Sequence, residues 1–88
     1  MEGHSSEIAF LAQEFEACRK ILLAFGDENR QHLILEMMQM EHCGGARVGA
    51  ITERTHLSRP AVLHHIRILK DAGILKMRRE GTEELILF

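Results

Sequence analysis

The feature that most constrains this chain is a change of period at Gly73. Before it, from Val48, apolar residues recur at helical spacing in two short runs. The first, Val48 to Leu57, reads as a short helix with Val48 and Ile51 inward, ending in a turn around Thr55–His56. His56 falls where such a bend needs a positive backbone angle, which His tolerates better than most non-glycine residues. Ser58 then caps a second helix, with Pro60 in its first turn, where a missing amide donor costs little. Val62, Ile66 and Leu69, spaced by four and three, form its buried stripe, and Gly73 closes it. Two helices joined by so short a turn predict a helix-turn-helix. After Gly73, Ile74 to Arg79 and Glu83 to Phe88 read as extended runs flanking Glu80–Gly81–Thr82, a hairpin signal. The expected fold is mainly α with a small β-hairpin wing, a winged helix-turn-helix.

The amino-terminal third carries a different pattern. Ser5 and Ser6 precede a stripe of Ile8, Leu11, Phe15, Cys18, Leu22 and Phe25, a heptad seam that predicts one helix ending at Gly26. Phe10, Ala12, Ile21 and Ala24 widen the stripe beyond what a small domain can cover. With 88 residues, folding buries only about 60% of the unfolded surface, and a lone monomer is marginal. The expectation is a homodimer formed through the first helix, with Ile8, Leu11, Phe15, Cys18 and Leu22 at the interface; the competing reading is an ordinary core helix. Asp27 caps the next helix, with Glu28 in its first turn and Leu33, Ile34, Met37 and Met38 as its buried face, ending by Gly44–Gly45. The methionines read as adaptable core filling rather than a soft-metal site. The whole chain, 1–88, is then one domain: a dimerisation helix over 1–25, the helix-turn-helix over 48–72 and the wing over 74–88.

Charge is segregated along this chain. Residues 1–45 carry eight acidic and three basic side chains, residues 46–79 two and eight, and residues 80–88 three acidic ones, within a net charge of −2. A basic central segment is what a phosphate-facing surface needs. No apolar run approaches the roughly 20 residues of a membrane span, and Met1 to Ser6 shows no secretory pattern. Cys18 and Cys43 make no disulfide framework, which points to the cytoplasm. No nucleophile has a base at a recognisable spacing and no phosphate-binding glycine loop is present, so an enzyme is not expected. His64 and His65 point about 100° apart on a helix and cannot share an ion; His65 is expected to pack partly against the body. His4, His32, His42 and His56 lack zinc spacing, and no metal or other cofactor is expected.

The expected partner is double-stranded DNA. With Val62, Ile66 and Leu69 inward, the opposite face of the second helix presents Arg59, Leu63, His64 and Arg67, with Lys70 further along. Recognition helices enter the major groove amino end first, which puts Arg59 and Leu63 nearest the bases. An arginine there can bond a guanine edge twice, and a leucine can meet a thymine methyl group. His64 suits a base or a phosphate, and Arg67 a phosphate. Arg78 and Arg79 precede the hairpin turn and suit the DNA backbone or the minor groove. Two other readings of these residues stay open: a winged-helix protein-interaction module, and a thiol redox sensor using Cys18 or Cys43 on the same fold.

The stretches "FGDENRQHLILEMM" at 25–38, "VGAITERTHLSRPAVLHHIRILKDAGIL" at 48–75, "MRREGT" at 77–82 and the final "ELILF" resemble the arsenic-repressor-like (ArsR) transcription regulators. The resemblance covers nearly everything from Leu22 onward, and "LHHIRILKDAGIL" is its most specific part. It implies a homodimeric repressor that binds an imperfect palindrome and releases it on a signal. By position it implies base reading by Arg59, Pro60, Leu63 and His64, flanked by Ser58, and wing contacts from Arg78, Arg79 and Gly81. Metal-sensing members carry a cysteine pair where this chain has Val48, Gly49 and Ala50, and others bind metal on a helix after the wing, which does not follow Phe88 here. Metal sensing is therefore not carried over, the effector stays unassigned, and the first helix is expected to supply the dimer surface.

Overall fold

The computed structural model describes residues 2–40 and 45–88. His42, Cys43 and Gly44, and the side chain of His4, lie outside the described residues. The stripe expected as one helix forms two, α1 (Glu2–Ala17) and α2 (Arg19–Phe25). Cys18 between them leaves helical geometry at φ −93°, ψ 2°. The hydrogen bonds Cys18 N–H to Glu14 O (3.1 Å) and Leu22 N–H to Cys18 O (3.0 Å) still cross the irregularity. Every described side chain of α1, from Ser5 on, is exposed, and burial begins at Ala24. The radius of gyration, 16.7 Å, exceeds the roughly 12 Å of a compact chain this long because α1 projects from the body.

Helix α3 (Glu28–Met40) starts where Asp27 Oδ1 accepts the Arg30 amide at 3.0 Å, the expected cap. Leu33, Ile34 and Met37 are buried as expected, but Met38 is 58% exposed and does not join them. Each residue turns a helix by about 100°, which carries Met38 off the stripe centred on Leu33 and Met37. Carbonyls at the end of α2 accept from side chains in the first turn of α3. Arg30 Nε donates to Ala24 O (2.7 Å) and Nη2 to Leu23 O (3.2 Å), while Gln31 donates to Phe25 O. This clamp joins the end of α2 to the start of α3.

Helix α4 (Val48–Thr55) buries Val48, Ile51 and Thr55 and ends on His56 in the left-handed conformation, φ 60°. Helix α5 (Arg59–Asp71) follows, with Ser58 Oγ accepting the Ala61 amide at 3.3 Å and Pro60 in the first turn. Its inner stripe of Val62, Ile66 and Leu69 is at most 1% exposed. At its far end Gly73, φ 80°, lets Gly73 N–H reach Lys70 O and Ile74 N–H reach Leu69 O, both at 2.9 Å. That paired closure needs a left-handed residue, which glycine supplies without strain.

Strands β2 (Lys76–Glu80) and β3 (Glu83–Leu87) form the hairpin around Gly81–Thr82, with Gly81 at φ 63°. A third strand, β1 (Ala46–Arg47), pairs antiparallel with β3, Ala46 opposite Ile86 and Arg47 opposite Leu85, giving the order β1-β3-β2. The sequence reading did not anticipate it, since two residues carry no periodicity. The core joins Leu33 and Met37 of α3, Ile51 of α4, Val62, Ile66 and Leu69 of α5, Leu75 and Ile86. It anchors the inner stripe of α5 while leaving the opposite face of that helix to solvent.

Candidate nucleic-acid interface

The burial of Val62, Ile66 and Leu69 dictates what α5 presents outward. Arg59, His64, Arg67 and Lys70 are exposed, and among the described residues none of the four has an ion-pair partner. Arg59 stands one residue past the cap, at the amino end of the helix. Leu63 differs from its expected placement on the free face. It is half-buried against the core and forms, with Arg67, Lys70, Met77 and Glu84, a groove of about 370 Å³ between α5 and the sheet. Ser58 and Pro60 are exposed, with the Ser58 hydroxyl engaged by the Ala61 amide.

Alternation along the strands separates the two wing arginines. Met77 and Arg79 share the inner face of β2 with Ile86 and Glu84 opposite, whereas Arg78 lies on the outer face opposite Leu85. Arg78 Nη2 is 3.5 Å from Glu80 Oε2, both side chains largely exposed. Arg79 is exposed and without an ion-pair partner among the described residues. Gly81 tops the turn.

The charge map contains residues that the sequence reading did not single out. Arg47, at the start of α4, holds Glu83 of β3 at 2.8 Å (Nε to Oε2). Together with Glu53, Arg59, Thr82 and Glu84 these two line a cleft of about 490 Å³ between the starts of α4 and α5 and the wing turn. Arg47 was visible only as one charge among the eight basic residues of 46–79, and its pairing depends on the unanticipated β1. Lys76 is a further exposed cation on β2.

Behind α5, His65 is buried at 8% exposure, its Nδ1 3.5 Å from Arg30 Nη1. Burial pushes its pKa below the ordinary 6.5, with the Arg30 and His64 charges adding to the fall and Asp27 opposing it. Asp27 is held below its ordinary 3.8, mainly by the Arg30 backbone amide. The His64 and His65 rings are tilted by 56° with centroids 5.7 Å apart. No group of three or more metal-ligating side chains gathers among the described residues, and no helix there is long and apolar enough to cross a membrane.

The residues expected at the dimer seam are exposed. Ile8, Leu11, Phe15 and Leu22 are 64%, 64%, 63% and 47% exposed, and Cys18 is a free, exposed thiol between them.

Residues 27–76 match the family described as bacterial regulatory protein, arsR family. A helix-turn-helix-type transcriptional regulator of Methanocaldococcus jannaschii, itself uncharacterised, is 37% identical over 70 residues, which is 80% of this chain and 75% of that protein. The crystal structure of an ArsR family transcriptional regulator matches with a TM-score of 0.68 at 20% identity, over 83% of this chain and 71% of that one. HlyU from Vibrio cholerae matches with a TM-score of 0.69 at 22% identity, over 85% of this chain and 77% of that one. At those identities the two structures share the fold.

Proposed function

The chain belongs to the ArsR family of winged helix-turn-helix transcription regulators, and from that premise we propose that it acts as a homodimeric repressor of an imperfect palindromic operator. It is a sequence-specific DNA-binding regulator, not an enzyme. Each α5 enters a major groove amino end first, the two helices reading half-sites roughly 34 Å apart on one face of the duplex. Arg59 takes a guanine edge, His64 a base or phosphate, and Pro60 and Leu63 pack on base edges. Ser58 and Arg67 meet the flanking phosphates, and Arg78, Arg79 and the Gly81 turn meet the backbone beside the wing. The first helices, 1–25, join the protomers through Ile8, Leu11, Phe15, Cys18 and Leu22, residues 48–72 carry the readout and 74–88 the wing. The protein works in the cytoplasm, without a cofactor.

The observation that carries this reading is the outer face of α5: four exposed cationic or imidazole side chains without ion-pair partners among the described residues, on a helix whose other face is locked in the core. The test is selection from a randomised duplex pool at two salt concentrations. A palindrome should emerge, with affinity falling steeply in salt. On the selected site, Arg59→Ala should relax preference at one base position, at about 1–3 kcal/mol. Arg79→Ala should weaken all sequences alike and flatten the salt slope. Equal losses on every sequence for Arg59→Ala would count against base reading, and no enrichment with no salt dependence would turn the basic face toward a protein partner.

A further inference from the structure

We propose that Glu83 is an internal competitor for the DNA backbone, a carboxylate that occupies Arg47 and lowers the protein's affinity for all duplex DNA. The inference rests on the DNA-binding reading above and adds to it a residue that opposes binding. Arg47 Nε lies 2.8 Å from Glu83 Oε2, with the two side chains 65% and 50% exposed. The pair sits in the cleft between the start of the recognition helix and the wing turn, beside Arg59. A duplex held by both α5 and the wing must pass its sugar–phosphate strand across that gap, since one element lies in a groove and the other beside it. Arg47 is thus placed to neutralise a phosphate, yet its guanidinium already has an anion.

Glu53 and Glu84 line the same cleft, so it holds three carboxylates against two arginines. Arg78 is likewise matched, by Glu80 at 3.5 Å. Two cations beside the wing turn, Arg47 and Arg78, are therefore matched by carboxylates, whereas Arg59, Arg67 and Lys70 of α5 have no ion-pair partner among the described residues. An exposed pair of this kind is weak, about 0.2–1 kcal/mol, so a phosphate can displace the carboxylate. The displaced Glu83 then stays close to a like charge, and the net gain from the Arg47–phosphate contact is reduced. The result is a backbone grip held in check, with discrimination left to the base-reading face of α5.

The experiment is a double-mutant cycle of Glu83→Gln and Arg47→Ala, titrated against the selected duplex and a scrambled duplex of equal length at several salt concentrations. Glu83→Gln keeps size and polarity at an exposed site, and thermal melts check that each variant is folded. Expected for Glu83→Gln is a gain of about two- to fivefold on both duplexes, with a log–log salt slope steeper by up to about 0.9, as Arg47 neutralises a phosphate that Glu83 otherwise contests. In the Arg47→Ala background the same change should lose most of that gain. An unchanged slope for Glu83→Gln overturns the proposal, as does a gain that persists without Arg47, which would make Glu83 a general repulsive charge. Wild-type protein that binds neither duplex sinks the DNA reading and this inference together; wild-type binding with an unaltered Glu83→Gln sinks this inference alone.

Discussion

At Gly45 the backbone leaves no space for a side chain. Its φ is 99°, and a Cβ there would stand 2.6 Å from Ile86 O and 2.9 Å from Leu87 Cδ2. The carbonyl belongs to the strand that pairs with β1, so the clash falls on backbone that cannot swing aside. Gly45→Ala should destabilise by about 1–3 kcal/mol, strain and displacement together. Urea unfolding measures it, and a midpoint equal to wild type would show that β1 can detach without consequence. His65 sets a second residue-level expectation. Its folded pKa lies below the ordinary 6.5, so the folded state binds fewer protons than the unfolded chain in mild acid. The stability tied to neutral His65 is complete above about pH 6.5 and is lost as pH falls through the folded pKa. Asp27, also lowered, adds a loss only below about 3.8. Melting temperature against pH should therefore begin to fall near 6.5, and His65→Gln should flatten that first segment while leaving the more acidic one. A first segment of unchanged slope in the variant would show that His65 does not carry it.

Among the elements, those with a strong period or a distinctive end were legible from sequence, and those held by tertiary pairing were not. Helix α5 announced itself by Ser58, Pro60, the stripe at 62, 66 and 69, and Gly73, each a local signal with a local cause. The left-handed His56 was readable for the same reason. Strand β1 was not, because its two residues exist only as a partner of β3. The Arg47–Glu83 pair inherits that invisibility: the residues are 36 positions apart and only β1 brings them together. The Arg30 clamp on the α2 carbonyls was equally hidden, since a helix end does not say which distant donor will satisfy it. The break at Cys18 has no sequence signal that we can name. The candidate site followed the same division, with free cations on α5 visible and the cancelling carboxylates of the wing seen only as net charge. Ser58 has two candidate partners, the helix end and a DNA phosphate. Its hydroxyl caps α5 through the Ala61 amide, and Ser58→Ala should cost about 1 kcal/mol of stability. If stability holds while DNA affinity drops, the hydroxyl serves a phosphate instead of the helix end.

The whole molecule has an imbalance that a second copy would resolve. The body from Ala24 to β3 closes its own core, while Ile8, Phe10, Leu11, Phe15 and Leu23 on α1 and α2 are each at least 60% exposed. Burying a large apolar side chain contributes about 1.5–3 kcal/mol, and five left in water on one projecting arm form a patch of the kind that marks an interface. An isolated 16-residue helix is itself marginal in water, so α1 needs packing to persist. Its own domain does not supply it, and a second α1 bearing the same seam would. A symmetric pair would also place two α5 helices against two half-sites, tying the arm to readout through the Arg30 clamp. Sedimentation equilibrium should find wild type dimeric at micromolar concentration. Leu11→Asp with Phe15→Asp should sediment as a monomer, lose helical circular dichroism from α1 and keep a cooperative melt for the body. That monomer should bind a half-site weakly and show no advantage on the full palindrome, because the second recognition helix is no longer tethered. If instead wild type sediments as a monomer while still preferring the palindrome, α1 has a different partner, and the two half-sites are filled by independent chains.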